Sequence, residues 1–184
     1  VSFFDLKQSF FTEHSLGPMM YDMFRRFLRD AGLNEKNHFT VFAELVSQIG
    51  WESDTALGLM MVNLAMDNPQ IAWYVNTLDL GVYYERKQVE DMLVALEVKP
   101  KDAKSIVKSY KRIMDTPFGT ALNFGAVTED DDLVRLKWSM SDKRVFLYAL
   151  YRFVEKCNLN HEFNVAYLFD ESVERDGVSP VRLV

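Results

Sequence analysis

The stretch KPKDAKSIVKSYKRIMDTPFG, Lys99–Gly119, decides how the centre of this chain is read. It holds five lysines and one arginine in an otherwise acidic protein. Asp102 reads as the cap of a helix over 102–115. At about 100° per residue, Ala103, Ile106, Val107, Tyr110, Ile113 and Met114 share one apolar face. Lys101, Lys104, Lys108 and Lys111 form a stripe opposite, with Arg112 next to it. From Lys99 to Asp115 six basic residues minus two acidic ones leave a balance of +4. The proline at 117 disfavours helix at Thr116, and Gly119 is expected to release the chain.

The flanks of this stretch set its context. Upstream, ERKQVEDMLVAL (85–96) is amphipathic, with Val89, Met92, Leu93 and Leu96 on the core side, and EVKPK breaks it. LGVYY (80–84) has the aromatic and β-branched content of a short strand. Asn68-Pro69 opens a helix over PQIAWYVNTLD by the cap-then-proline signature. Downstream, ALNFGAV (121–127) and DLVRLKWSM (132–140) read as two strands joined at TEDDD. The order from 69 to 140 is that of a winged helix-turn-helix. In it 85–96 is the supporting helix, 102–115 the presented helix and 121–138 the wing. A helical domain with one hairpin and no groove-binding role is the competing reading. The wing itself raises an objection. Glu129, Asp130, Asp131 and Asp132 put four negative charges at its tip, which repel a duplex unless the tip points away or meets a basic partner.

Further out, residues 1–17 are aromatic-rich without a clear period. Pro18 opens a helix through Asp30, with Met20, Met23, Phe24, Phe27 and Leu28 on one stripe and a glycine stop in DAGLN. TVFAELVSQIG repeats Val41, Phe42, Leu45, Val46 and Ile49 at helical spacing and ends at Gly50. SDTALGLMMVNLAM is capped by Ser53 or Asp54, with Leu57, Met60, Met61 and Leu64 inward. Near the C-terminus, Phe146 to Cys157 repeat at helical spacing, EFNVAYLFDESVE (162–174) reads as helical, and Ser179-Pro180 begins another helix. These elements read either as a truncated second helix-turn-helix carrying Arg182 or as a terminal helix pair that completes the core. The expected fold is mainly α: a winged helix-turn-helix-like centre with a small β-hairpin (68–140), packed on an N-terminal helical region (1–67) and followed by C-terminal helices (141–184).

Bulk composition bounds the function. The 184 residues are 48% hydrophobic and 14% aromatic, enough for a core. A net charge of −6 gives no long-range attraction to phosphate, so any nucleic-acid contact must come from a local patch. The single Cys157 excludes an internal disulfide framework and fits a reducing cytosol. Its core spacing predicts a buried structural thiol. No signal peptide stands at the start, and the apolar runs fall short of the roughly 20 residues a membrane span needs; a cytoplasmic location is expected. The chain starts at Val1 without methionine and stops just after a helix start, so a piece of a longer protein is expected. The sequence lacks GxxxxGK[ST], GxGxxG, CxxC and HExxH patterns, and His14, His38 and His161 lie far apart. No metal, no cofactor and no active site of its own are expected.

TPFGTALNFGAV (116–127) and ESVERDGVSPVRLV (171–184) resemble segments of an uncharacterised bacterial family. Its members are often labelled phosphoadenosine phosphosulfate reductase and occur in DNA-modification and phage-defence gene neighbourhoods. DTALGLMMVNLAMDNPQIAWYV (54–75) is similar in the same context, and the resemblance spans roughly 40–184. The reductase activity does not carry over, because neither an SGGxDS-type nucleotide loop nor a C-terminal cysteine motif stands here. The resemblance implies an accessory protein of DNA modification or defence. The expected function is a non-catalytic nucleic-acid-binding or adaptor module that contacts duplex DNA through 101–112, using Lys101, Lys104, Lys108, Lys111 and Arg112. The alternative is a scaffold that docks other defence-system proteins or copies of itself through its basic helix and acidic tip, without nucleic acid.

Overall fold

Proline and glycine frame the first helix, α1 (Pro18–Asp30), in a computed structural model that describes residues 17–139, 142–159, 162–170 and 177–183. Gly32 ends the turn at φ +78°, where an added Cβ would overlap the Asn63 amide. A short hairpin follows, β1 (Asn34–Glu35) against β2 (His38–Phe39). Its two-residue turn, Lys36-Asn37, has φ of 48° and 68°, the mirror-image geometry that suits the twist of paired strands. Strands of two residues carry no alternation, so this hairpin has no periodic signal in the sequence. Thr40 then caps α2 (Val41–Ile49), accepting from Ala43 N at 3.1 Å and donating to Gly32 O at 2.6 Å.

Ser53 caps α3 (Asp54–Asp67), which is buried along nearly its whole length and forms the central post of the fold. Asn68 accepts from the amides of Gln70 (3.1 Å) and Ile71 (3.2 Å) and starts α4 (Pro69–Thr77) with Pro69 in the first turn. Next come β3 (Tyr83–Tyr84), α5 (Arg86–Ala95), α6 (Pro100–Met114), α7 (Pro117–Leu122), β4 (Gly125–Val127) and β5 (Leu133–Arg135). The chain closes with α8 (Lys143–Lys156), a 3-10 turn at Val165–Leu168 and α9 (Pro180–Leu183). The protein is mainly helical, with two small antiparallel sheets among the described residues. The larger has strand order β3-β5-β4, so Val134 pairs Tyr83 on one side and Ala126 on the other.

Several boundaries differ from expectation. Helix α6 starts earlier, with Lys99 at the cap and Pro100 in the first turn; Asp102 lies inside that turn. The fixed φ of proline suits a first helical position. Residues 121 and 122 close helix α7 instead of starting a strand. Pro117 restarts helix after the break at 115–116. Gly119 does not release the chain but lets α7 press on the end of α6, where a Cβ would overlap the Ile113 and Met114 carbonyl oxygens. Asn123, at φ 55°, makes the left-handed exit and donates to Lys137 O at 2.9 Å. Of 162–174 only Val165–Leu168 is helical among the described residues, and 171–176 lie outside them. On α1 it is Tyr21 that is buried, whereas Met20 and Met23 are exposed, and Leu96 after α5 is exposed too.

One apolar cluster runs from Ala31 to Leu183 and crosses both expected boundaries, 67/68 and 140/141. Asn63 is its polar centre: it donates to Ala31 O (3.1 Å) and accepts from Tyr148 Oη (2.7 Å) and an Arg152 guanidinium nitrogen (3.0 Å), tying α1, α3 and α8 together. Aromatic rings fix α6 in place. Tyr74 stacks on Phe124 at 4.5 Å and donates to its carbonyl at 3.1 Å, while Tyr110 lies 4.9 Å from Tyr74 and donates to Gln70 O at 2.8 Å. Arg182 turns inward on α9 and donates to Val75 O at 3.2 Å, with Pro180 and Leu183 buried. It is therefore a packing residue and not part of a presented face.

Candidate nucleic-acid interface

Helix α6 is built to be anchored on one side. Pro100 and Asp102 occupy its first turn, and Lys111 and Arg112 its last, as the helix dipole favours. Ala103, Val107, Tyr110 and Met114 are buried, whereas Ile106 and Ile113 are half-buried. The anchor is thus narrower than the apolar face of the sequence. Lys101, Lys104, Lys108 and Arg112 are exposed. With the buried side fixed, helical geometry puts Arg112 near the middle of the outward face, with Lys101 and Lys108 within about 40° of it. Arg112, expected beside the stripe, is central to it, and its planar fork matches phosphate oxygens better than an ammonium does.

Lys111 is different. Its side chain is only 17% exposed and forms an ion pair with Asp131. Its Nζ also donates to the Asp131 carbonyl at 3.0 Å. The β4–β5 turn presents that residue: Thr128 N donates to Asp132 O at 2.9 Å, Asp131 N to Thr128 O at 3.1 Å, and Asp131 takes φ 70°. The acidic tip therefore folds back on α6 of its own chain. The hydrogen bond from Lys111, then the Lys111 and Arg86 charges, hold the Asp131 carboxyl below its ordinary range.

Arg86, at the start of α5, joins the same surface. Its Nε donates to Glu90 at 2.8 Å, and that carboxylate, with Asp131 beyond it, holds the guanidinium firmly protonated. Arg86, Pro100, Lys101, Lys104, Ser105 and Lys108 line a shallow notch. Sequence reasoning missed Arg86 because only the packing of α5 on α6 brings it to the lysines; no linear spacing links them. Arg135 is a cation of another kind. It is buried, donates to Leu78 O at 2.8 Å and to the Arg182 carbonyl, and is brought down to about 10 by burial and the nearby Arg182 charge. It is a strut, not a contact residue.

The α6 face can neutralise phosphates through four exposed cations. Among the described residues no group of three His, Cys, Asp or Glu side chains is placed to hold a metal ion, and no helix is long and apolar enough to cross a membrane. Compared with protein-family models, with curated proteins and with solved structures, the chain matches none.

Proposed function

We propose that this chain is a non-catalytic nucleic-acid-binding module that lays the outward face of α6 against a duplex. The observation that carries the reading is the exposed set Lys101, Lys104, Lys108 and Arg112 on a helix whose opposite side is locked into the core. The surrounding topology supports a winged helix-turn-helix-like reading: helix α4, strand β3, helices α5 and α6, then the β4–β5 hairpin, follow one another in that order, with strand order β3-β5-β4. Helix α7 is an addition to that plan. The resemblance to a family from DNA-modification and phage-defence neighbourhoods suggests an accessory role in such a system. The test is titration of a labelled duplex with wild type and a Lys101/Lys108/Arg112→Glu variant at low salt. Loss of binding by about 100-fold or more is expected, since each lost phosphate contact becomes a repulsion. Equal affinity of the two proteins, or no wild-type binding at low salt, overturns the reading.

A protein-interaction scaffold is the second reading. What favours it is the exposed apolar set Phe39, Val41, Leu45, Ile49 and Trp51 around α2, since clustered exposed apolar side chains mark interaction surfaces. Light scattering across salt separates the readings: a mass above monomer that persists at high salt supports apolar association, and a monomer throughout removes self-association.

A further inference from the structure

A second cationic feature lies away from α6, in the cleft between α1 and the β1–β2 hairpin. Arg25 and Arg26 on one turn of α1 and Arg29 on the next line one wall, and Lys36 lines the other from the hairpin turn. Asn34 and Asn37 complete the hairpin wall, and Asp22 is the one carboxylate in the lining. With Asp30, which pairs with Arg29, counted, four cations against two carboxylates leave +2 among the described residues around a cleft of about 260 Å³. That volume is below the usual range for drug-sized ligands and suits a single phosphoryl group with its substituent.

The cleft is held in shape. The Arg25 guanidinium donates to Asn37 Oδ1 and lies 5.8 Å from the centre of the Tyr21 ring, contacts that fix its plane. Thr40 pins the hairpin base to Gly32 O at 2.6 Å. Arg29 donates through two nitrogens to Asp30, whose other carboxylate oxygen accepts from Asn68 at 3.0 Å, so this arginine is held in place at the cleft edge. Arg26 and Lys36 are exposed and have no ion pair among the described residues. Glu35 is exposed on the hairpin and outside the lining. Lys36 holds φ 48°, a conformation that glycine or asparagine adopts at less cost, so the turn places a charge where local preference would not.

We infer that this cleft binds the phosphate group of a small phosphorylated ligand. Guanidinium forks match phosphate oxygens in pairs, and a dianion matches the +2 balance better than a monoanionic carboxylate does. The inference does not depend on duplex binding by α6.

The experiment is an NMR titration of the whole chain, observing backbone amides and arginine Nε signals. The probes are inorganic phosphate, a nucleoside monophosphate, and acetate at matched ionic strength. Saturable shifts of residues 34–37 and of the α1 arginines with both phosphate probes, and not with acetate, are expected. A tighter nucleoside monophosphate identifies an organic phosphate as the ligand; equal affinity identifies inorganic phosphate. Arg26→Glu/Lys36→Glu should weaken binding at least tenfold with an unchanged Tm, while Lys101/Lys108/Arg112→Glu should leave it unaltered. Equal shifts with acetate, no saturation, unchanged affinity in the Arg26/Lys36 variant, or loss of binding in the α6 variant overturns the inference.

Discussion

Asp131→Asn gives the sharpest test of how the acidic tip acts on α6. The substitution removes the carboxylate that holds Lys111, while the backbone bonds of the Thr128–Asp132 turn remain. Asparagine tolerates the left-handed backbone at φ 70°, so the hairpin should keep its shape. In the native protein Lys101, Lys104, Lys108 and Arg112 are exposed and Lys111 is occupied. Four phosphate contacts give a slope of about 3.6 in log affinity against log salt, so a fourfold rise, from about 50 to 200 mM, weakens binding about 150-fold. Releasing Lys111 adds a fifth contact, raises the slope to about 4.5 and makes the same salt rise cost about 500-fold. Fluorescence anisotropy with a labelled duplex at four or more salt concentrations measures both slopes. Asp130→Asn is the control, because Asp130 carries the same charge but does not hold Lys111; its slope should stay near the native value. If Asp131→Asn leaves the slope unchanged, or if Asp130→Asn steepens it equally, Lys111 is not a masked phosphate contact.

Three further outcomes follow from the packing. Asn63→Ala strands Ala31 O, Tyr148 Oη and the Arg152 guanidinium around one buried site, and should cost about 3 kcal/mol in urea denaturation; a loss under about 1 kcal/mol would mean that water replaces the amide at little cost. Gly119→Ala drives a Cβ into backbone oxygens at the end of α6, and should destabilise by about 3 kcal/mol and weaken duplex binding as α6 shifts; a native Tm would contradict the contact. Asp142 caps α8 by accepting from Arg144 N at 2.9 Å, and the Arg144 side chain, then Thr55, hold its carboxyl well below the ordinary range. A depressed acid stabilises the fold above its unfolded-state value, about 3.9, and loses that contribution as pH falls through the folded-state value. The Tm gap between wild type and Asp142→Ala should thus be steady from neutral pH to about 4 and narrow below it; a gap that widens in acid would reverse the sign.

How far the structure was legible depended on whether its cause was local. Pro18, Ser53 and Asn68-Pro69 start helices where expected, and Tyr83–Tyr84 forms the expected strand, because each signal acts within one turn of chain. Pro117 was ambiguous, since proline both stops a helix before it and opens one after it. The choice is made by Gly119 packing on Met114. The same division holds at the sites. The stripe of 101, 104 and 108 is periodic and so visible, whereas the Lys111–Asp131 pair joins residues 20 apart through a turn. Arg25, Arg26 and Arg29 look like an ordinary polar helix face in sequence, and only the Lys36–Asn37 turn folding back makes that face concave.

The tip-to-helix contact also changes what the charge of α6 means. Its five cations, Lys101, Lys104, Lys108, Lys111 and Arg112, sit in a chain of net charge −6, and one of them is bound to a carboxylate from the adjoining turn. At physiological salt the potential of the remaining four decays over about 8 Å. Under the proposed function, the face therefore attracts phosphate only near contact. On that reading, close fit along α6 outweighs long-range steering. Under the proposed function, association should be slow for an electrostatic partner and weakly sensitive to duplex length, and it should quicken when Asp131 is neutralised. Stopped-flow rates for Asp131→Asn and wild type, compared at one low salt concentration, test that step; equal association rates would place the tip outside the encounter.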